Sequence, residues 1–288
     1  MTLTGETDDV FGEPPLDRYR SVQRLPTDRG GRAAGDHGRH RLFIVRDPDQ
    51  RANLLVKITA KPGLVYERDL SNEMETLARI NRELPDALYF PFLEDHGRLP
   101  DGRIYVAMSC FDEWPLATTI GPEPIPARLV GYLKTTIEVA TAVELLHGIG
   151  IWHVDLNPMN ILYRVERGQP IVRIVDFESS YDTTRHGSGT FYSPPTTAGF
   201  VAPEVAERPP DARSDVYSLG AVLYTLIAGY EWSWGSDVTS ALDGGPKLDR
   251  PLERAIRSAV APDPDQRTQS MAAFRQELQS YHDGIWTG

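Results

Sequence analysis

The chain has 288 residues, of which 40% are hydrophobic and 25% charged, so it can bury a large core and is neither disordered nor fibrous. Its formal net charge of −11 argues against a nucleic-acid binder or a basic membrane-surface protein. Its single cysteine, Cys110, excludes an internal disulfide framework and a cysteine-based structural zinc site.

Residues 1–16 are polar and acidic, so we expect a loose tail without the basic-then-apolar order of a signal peptide. Apolar runs at residues 41–46 and 53–58 predict two strands joined by a turn, and residues 103–108 predict a third. Since the sequence contains no apolar run of about 18 residues, we expect no membrane span and a cytoplasmic protein.

Helical patterns dominate the rest of the chain, after one helix at residues 71–80 for which Ser71 is the predicted N-cap. Short strands are predicted at residues 161–163 and 171–175. Further helices are predicted at 127–146, 214–228, 252–260 and 271–281, and that at 214–228 is apolar on most sides.

This order of elements predicts an α+β protein with two lobes of unequal size. A flexible tail at residues 1–16 precedes a small β-rich lobe at 17–111. A larger helical lobe follows at residues 112–288.

Two apolar segments of the chain contain or are followed by a few polar side chains. The segment that begins at His153 reads HVDLNPMN and includes Asp155 and Asn160, and Asp176 follows the next apolar strand. Carboxylate and amide oxygens at strand ends suit a hard cation such as magnesium, which also binds phosphate oxygens.

The pattern His-x-Asp-x-x-x-x-Asn followed by Asp-Phe-x resembles the catalytic loop and metal-binding turn of eukaryotic-like (Hanks-type) Ser/Thr protein kinases. Other motifs match that family in order: Lys57 in LLVKI, Glu73 in a helix, APE ending at Glu204, Asp215 in RSDVYSLG and Arg267 in DPDQR. The resemblance extends from about residue 19 to residue 281, and it implies the two-lobed protein-kinase fold.

The resemblance also implies a set of roles, with ATP and Mg2+ (or Mn2+) as cofactors and a protein or peptide as substrate. Asp155 would accept the proton of the acceptor hydroxyl, Thr197 would contact Asp155, and Asn160 and Asp176 would hold the metal. Lys57 would contact the α- and β-phosphates, held in place by Glu73, and Arg267 would pair with Glu204. The implied nucleotide-binding positions are Lys57, Glu73, Gly35, Gly38, Leu55, Met108, Ser109, Cys110, Phe111 and Leu162.

Several positions depart from the family pattern. The glycines of residues 24–41 lack the usual Gly-x-Gly-x-x-Gly spacing, and Leu55 replaces a small residue beside the adenine. Asn157 replaces the lysine that neutralises the γ-phosphate, and Val154 replaces the arginine that usually pairs with an activation-loop phosphate. Glu178 replaces the glycine of the metal-binding turn, where it would restrict the backbone and could offer a further metal ligand.

These departures leave three functions open. The favoured one is ATP- and magnesium-dependent phosphorylation of Ser or Thr hydroxyls on a protein or peptide. A pseudokinase that acts as a nucleotide-binding scaffold or allosteric partner is the alternative, which Leu55, Asn157 and the irregular glycine spacing of residues 24–41 favour. The third is a phosphotransferase for a small molecule or a biosynthetic peptide, because Glu178 resembles the turn of those enzymes.

Overall fold

The computed structural model describes residues 9–25, 39–49, 51–121, 125–187, 195, 199–229, 241–243 and 245–285. The chain divides into two compact units, Met1–Asp112 and Glu113–Gly288. The first contains a five-stranded sheet, whereas long helices dominate the second, which confirms the predicted α+β class. No helix among the described residues has the length and apolar character needed to cross a bilayer.

The first unit is built on an antiparallel sheet in the order β1-β2-β3-β5-β4. Its strands are β1 Arg20–Arg24, β2 His40–Asp47, β3 Ala52–Thr59, β4 Leu93–Arg98 and β5 Ile104–Ser109. Side chains alternate between the two faces of a strand, so Leu54, Val56 and Ile58 share one face of β3. Leu55 and Lys57 therefore lie on the other face.

Helix α1 runs from Leu64 to Glu83, seven residues further toward the N-terminus than predicted. Ser71 therefore lies inside the helix, and the prediction that it caps the helix is wrong. Gly63 is the residue before the first turn. The spacing of apolar residues did not predict that turn, because its leucine, Leu64, is exposed rather than buried. Leu70, Leu77 and Ile80 follow the helical repeat and are buried on one face of the helix.

The segment before β1 packs against the sheet, although a loose tail was expected through residue 16. Two short 3-10 turns, Asp9–Gly12 and Leu16–Arg18, lead into β1. Leu16 is fully buried in one cluster with Phe43 and Val56.

The second unit contains short strands and long helices. Its strands are β6 Trp114–Pro115, β7 Ile151–Trp152, β8 Ile161–Glu166, β9 Gln169–Ile174 and β10 Tyr181–Asp182. Its helices are α2 Ile125–Gly148, α3 Ala212–Ala228, α4 Arg250–Ala259 and α5 Met271–Ile285. The strands form two small sheets, β6-β8-β9 and β10-β7.

Helix α3 is buried on all sides from Ser214 to Ile227, as its apolar sequence predicted. A capping box begins it, in which Asp211 accepts from backbone amides of the first turn. It ends at Gly229, whose φ of 72° is a left-handed conformation that glycine adopts without a steric penalty. The helix is thereby a fixed support for the loops around it.

We expect Leu16→Ala to lower the free energy of unfolding by about 2–5 kcal/mol, because it opens a cavity in the sheet's core. Leu64→Ala is the matched control: Leu64 is 84% exposed, and its replacement should change that free energy by no more than about 0.5 kcal/mol. Urea unfolding measures both. Equal effects of the two substitutions would contradict the packing of the N-terminal segment on the sheet.

Candidate active site

A buried ion pair joins β3 to α1 in the first unit. Lys57 Nζ lies 2.7 Å from Glu73 Oε2, with the two side chains 9% and 0% exposed. Lys57 is on the face of β3 that packs toward α1, and Glu73 lies on the buried face of the helix together with Leu70 and Leu77. The pair fixes the direction of the ammonium group, because a buried charge must keep its partner.

The other residues of this unit that are predicted to contact the nucleotide lie on β3 and around the end of β5. Leu55 is half-buried and lies opposite Met108 in the β3–β5 pairing, and Met108 is buried. The chain leaves β5 through Ser109, whose hydroxyl accepts from the Phe92 amide at 2.8 Å. The Cys110 amide donates to the Asn53 carbonyl at 3.3 Å, which holds Cys110 beside the sheet.

In the second unit, Asp215 anchors the loop that carries Asp155. Its carboxylate is fully buried at the start of α3 and accepts from two consecutive backbone amides, His153 at 2.9 Å and Val154 at 2.7 Å. The ring of His147, in the last turn of α2, lies 2.8 Å from the same carboxylate. These contacts satisfy a charge that would otherwise be very costly to bury.

Val154 has a φ of 68°, which is unfavourable for a β-branched residue. Two hydrogen bonds, from the His153 and Val154 amides to the Asp215 carboxylate, hold the backbone in this conformation. Complete burial of the Val154 side chain also holds it there. Backbone in this region costs about 1–3 kcal/mol and persists only where its surroundings impose it. The turn sets the direction of the next residue, Asp155.

His153 is a packed histidine that bonds to the backbone. It is fully buried, its ring lies 4.9 Å from that of Phe177, and Nε2 donates to the Val175 carbonyl at 3.1 Å. Burial lowers the pKa of His153 despite the opposing effect of Asp215, so the ring is neutral at physiological pH. It therefore links the catalytic loop to the strand end that carries Asp176.

The two predicted metal ligands lie at neighbouring strand ends. Asn160 precedes β8, Asp176 follows β9, and the Val175 amide donates to the Asn160 carbonyl at 3.0 Å. Asn160 Nδ2 donates to the Asp155 carbonyl at 2.9 Å, so Oδ1 is the atom of this amide that can bind a cation. An amide oxygen and a carboxylate oxygen fit the preference of Mg2+ for oxygen ligands.

The turn after Asp176 does not use the backbone freedom of a glycine at residue 178. Asp176 itself has a φ of 69°, whereas Glu178 is not among the residues with positive φ. The turn closes where the Ser180 amide and hydroxyl both donate to the Phe177 carbonyl, at 3.1 and 2.7 Å. Glu178 is thus accommodated, and one of its carboxylate oxygens lies within 4.8 Å of one of Asp176.

A cluster of hydrogen bonds around the Asp182 carboxylate holds the segment that follows. Asp182 is 1% exposed and accepts from the Thr184 amide and hydroxyl at 2.8 and 2.6 Å and from Arg185 Nε at 3.0 Å. The Asp182 amide donates to His186 Nδ1 at 2.9 Å. Burial acts to raise the pKa of Asp182, but the bonds from Thr184 and Arg185 outweigh it and lower that pKa.

The predicted pair between Glu204 and Arg267 is present and bidentate. Its two hydrogen bonds measure 2.8 and 2.9 Å, the Arg267 side chain is fully buried, and Ser214 donates to Glu204 at 2.8 Å. Arg267 also lies over the ring of Tyr217, with 5.1 Å between its guanidinium carbon and the ring centre. The pair joins the end of the activation segment, residues 176–204, to the turn before α5.

The other predicted site residues are distributed as follows. Leu162 lies half-buried in β8, paired with Pro115 and Arg173. Phe111 is half-buried in the segment after β5. Gly35, Gly38 and Thr197 lie outside the described residues.

Comparison with known families identifies the group to which this sequence belongs. The protein kinase domain family matches residues 61–277, which is most of the chain. The chain belongs to the protein kinase domain family. The matched part of the kinase domain includes Glu73, Asp155 and Asp176, and it begins four residues after Lys57.

Curated Ser/Thr kinases are among the relatives. A kinase of Myxococcus xanthus, pkn3, is 27% identical over 304 residues, which cover 96% of this chain and 52% of that protein. Human ribosomal protein S6 kinase alpha-2 is 34% identical over 169 residues, which cover 57% of this chain and 22% of that protein. The chain thus spans about half or less of the length of these relatives. Together with the motifs, they identify a Hanks-type kinase sequence similar to bacterial members.

Solved structures support the fold. The kinase domain of Mycobacterium tuberculosis PknI has a TM-score of 0.61 and 21% identity to this protein, with 93% of this chain and 96% of that chain covered. Another structure of the same kinase domain has a TM-score of 0.57. At this identity the similarity concerns the fold, which is the protein-kinase fold.

Sequence reasoning about the kinase motifs missed two contacts of the site. It treated Asn157 only as a lost lysine, although this amide donates to the backbone carbonyl of Asp155 at 3.1 Å. The signal was the Asn-Pro pair, because asparagine before such a turn bonds the backbone nearby. The contact of His147 with Asp215 gave no signal, since it joins residues 68 positions apart.

We expect the stabilising effect of Glu204 to depend on pH. Burial alone would raise the pKa of Glu204, but Arg267 outweighs it, so the folded-state pKa lies below the usual value. Such a carboxyl adds stability above its unfolded-state pKa of about 4.3, and that contribution is lost as the pH falls through the folded value. The gap in melting temperature between wild type and Glu204→Gln should be large at neutral pH and shrink in acid.

Thermal melts between pH 7 and pH 3 measure this gap. Glu207→Gln is the control, because Glu207 is exposed and its replacement should leave the melting temperature unchanged across the range. A gap for Glu204→Gln that stays constant down to pH 3 would contradict the assignment.

Proposed function

We propose that this kinase domain transfers the γ-phosphoryl group of ATP, with magnesium, to Ser or Thr hydroxyls of a protein or peptide. The observation that carries the proposal is the arrangement in the second unit. Asn160 bonds to Asp155 and lies at a strand end next to the one that carries Asp176. A proton acceptor and two oxygen ligands for a hard cation are thus held on one support.

The residues of the second unit would perform the following steps. Asp155 orients the acceptor hydroxyl and takes its proton as the oxygen attacks phosphorus. Asn160 Oδ1 and Asp176 would hold magnesium, which would supply neutralisation of the phosphate charge. The neighbouring Glu178 carboxylate is a further candidate ligand.

In the first unit, Lys57 would contact the α- and β-phosphates, with Glu73 fixing its ammonium group. Leu55 and Met108 would contact the adenine, and the backbone of residues 109–111 would bond to its edge. Leu55 is larger than the usual small residue at this position, so we expect a base site narrower than that of most relatives.

Besides Leu55, the pseudokinase alternative is favoured by Asn157, which lacks the charge of the lysine that normally neutralises the γ-phosphate. Loss of such a cation costs on the order of several kcal/mol of transition-state stabilisation. Nucleotide binding that depends on metal but gives no transfer would support this alternative. Preference for a non-peptide acceptor would support a small-molecule phosphotransferase, which Glu178 favours.

The setting we propose is the cytoplasm, with a protein or peptide partner as the acceptor. The single cysteine, Cys110, is a free thiol, which suits a reducing compartment. Burial, followed by the effect of Asp112, raises the pKa of this thiol and keeps it protonated.

We expect Asp155→Ala and Asp176→Asn each to lower transfer by at least about 100-fold, because they remove the proton acceptor and a metal ligand. The assay follows the radiolabelled γ-phosphate of ATP with Mg2+ or Mn2+, using myelin basic protein as the probe acceptor. Asp86→Asn, at an exposed position of the first unit, is the control and should keep the wild-type rate.

Melting temperatures of these variants should stay close to that of the wild type. Undiminished transfer by Asp176→Asn would refute its magnesium role. A wild-type chain that binds ATP but transfers nothing would refute the proposed activity and leave the pseudokinase alternative.

We also expect activity to be independent of phosphorylation in the activation segment. Val154 occupies the position of the arginine that usually receives the phosphate, and Arg185 is bonded to Asp182. The Thr184 hydroxyl donates to Asp182 as well. A phosphate on Thr184 would therefore break the hydrogen bonds around Asp182 and would not order the segment. Phosphatase-treated protein should therefore keep its rate.

A loss of tenfold or more, about 1.4 kcal/mol, that rephosphorylation restores would refute this expectation. Mass spectrometry of the treated protein would confirm that Thr183 and Thr184 are unmodified. The segment's other candidate acceptors, Ser188, Thr190 and Ser193, lie outside the described residues.

A further inference from the structure

Asn157 uses both ends of its side chain inside the catalytic loop. It is 5% exposed, and its Oδ1 accepts from the backbone amides of Met159 at 2.9 Å and Asn160 at 3.3 Å. Its Nδ2 donates to the backbone carbonyl of Asp155 at 3.1 Å and, through a longer contact of 3.4 Å, to the carboxylate Oδ1. The acceptor end closes the turn, and the donor end faces Asp155.

The two carboxylate oxygens of Asp155 receive different amides. Asn157 Nδ2 contacts Oδ1 at 3.4 Å, and Asn160 Nδ2 contacts Oδ2 at 3.3 Å. Both amides also donate to the Asp155 main-chain carbonyl, at 3.1 and 2.9 Å. Rotation of the carboxylate about its last bond would break one contact or the other, so the pair fixes its plane.

We propose that Asn157 is a positioning residue that holds the Asp155 carboxylate in its productive orientation, as a neutral donor where related kinases have lysine. The inference rests on the proposed function. In the transfer step, the acceptor hydroxyl oxygen bonds to the γ-phosphorus and the bond from phosphorus to the bridging oxygen breaks. ADP leaves with that electron pair, and the hydroxyl proton passes to Asp155.

This role separates orientation from charge. A lysine at residue 157 would both donate to Asp155 and neutralise phosphate, whereas an amide can only donate. Loss of the amide donor should therefore slow the transfer step and leave ATP binding nearly unchanged, since no contact of Asn157 with a nucleotide is invoked. A residue that only closes the turn would instead matter through its acceptor oxygen.

Two substitutions divide these roles in opposite ways. Asn157→Asp keeps an acceptor oxygen for the turn but has no donor for Asp155. Asn157→Lys supplies a donor but no acceptor. Positioning predicts that the lysine variant keeps most of the wild-type kcat, whereas the aspartate variant loses at least about tenfold, with the KM for ATP within about twofold in both.

The assay again uses labelled ATP, Mg2+ and myelin basic protein, and melting temperatures check that each variant is folded. The proposal stands if kcat of the lysine variant exceeds that of the aspartate variant by about fivefold or more without exceeding the wild-type kcat, because a gain above wild type would report neutralisation of the phosphate. A smaller ratio, or such a gain, overturns it. If Asn157→Asp does not fold, Asn157→Ala takes its place. Alanine and lysine both lack the acceptor and differ in the donor.

A spectroscopic measurement separates this inference from the proposed function. In the 15N-labelled full chain, the side-chain amide signals that Asn157→Ala removes identify Asn157. Those signals should shift in Asp155→Ala if the amide donates to the Asp155 carboxylate, whether or not the wild type transfers phosphate. Unchanged signals would overturn the positioning role, and a silent wild type with shifted signals would refute only the activity.

Discussion

A single buried carboxylate, Asp215, supports the geometry of the catalytic loop. It faces two consecutive amides and a histidine ring without contact with solvent, and it lies in the first turn of a helix that is itself buried. Removing one partner of such an arrangement typically costs about 3–5 kcal/mol, because the remaining polar groups stay desolvated. The left-handed turn at Val154, and with it the direction of Asp155, depends on this carboxylate.

The same principle recurs elsewhere in each unit. Lys57 with Glu73 and Glu204 with Arg267 are charges at low exposure, each beside a partner of opposite sign. The buried Asp182 likewise has the half-buried Arg185 as its partner. Buried pairs add little net stability compared with apolar packing, but they penalise every arrangement that separates them. Their effect here is to select one position for a strand, a loop and a segment end, which a site for phosphoryl transfer requires.

The sequence was a good guide where pattern and packing agree. β3, α3 and α5 lie close to their predicted positions, because alternation and helical spacing reflect which side chains are buried. The ion pairs of Lys57 and Glu204 came from motif resemblance, since no local pattern joins residues so far apart. Burial of Leu16 was missed because a lone leucine among polar residues has no periodicity. The two roles of the Asn157 amide were missed because comparing the residue type with the family's lysine does not show which groups the asparagine side chain contacts.

Position 154 has a consequence for how such a chain can evolve. Its left-handed backbone favours glycine or asparagine, while its fully buried surroundings favour an apolar side chain, and valine satisfies only the second demand. An arginine introduced there would carry a charge into space that has no exposure in this fold. Phosphate-dependent regulation through this position would therefore need several coordinated substitutions, of which Val154→Arg alone would be destabilising. The packing around Val154 thus opposes any single substitution that would place a phosphate-binding arginine at this position.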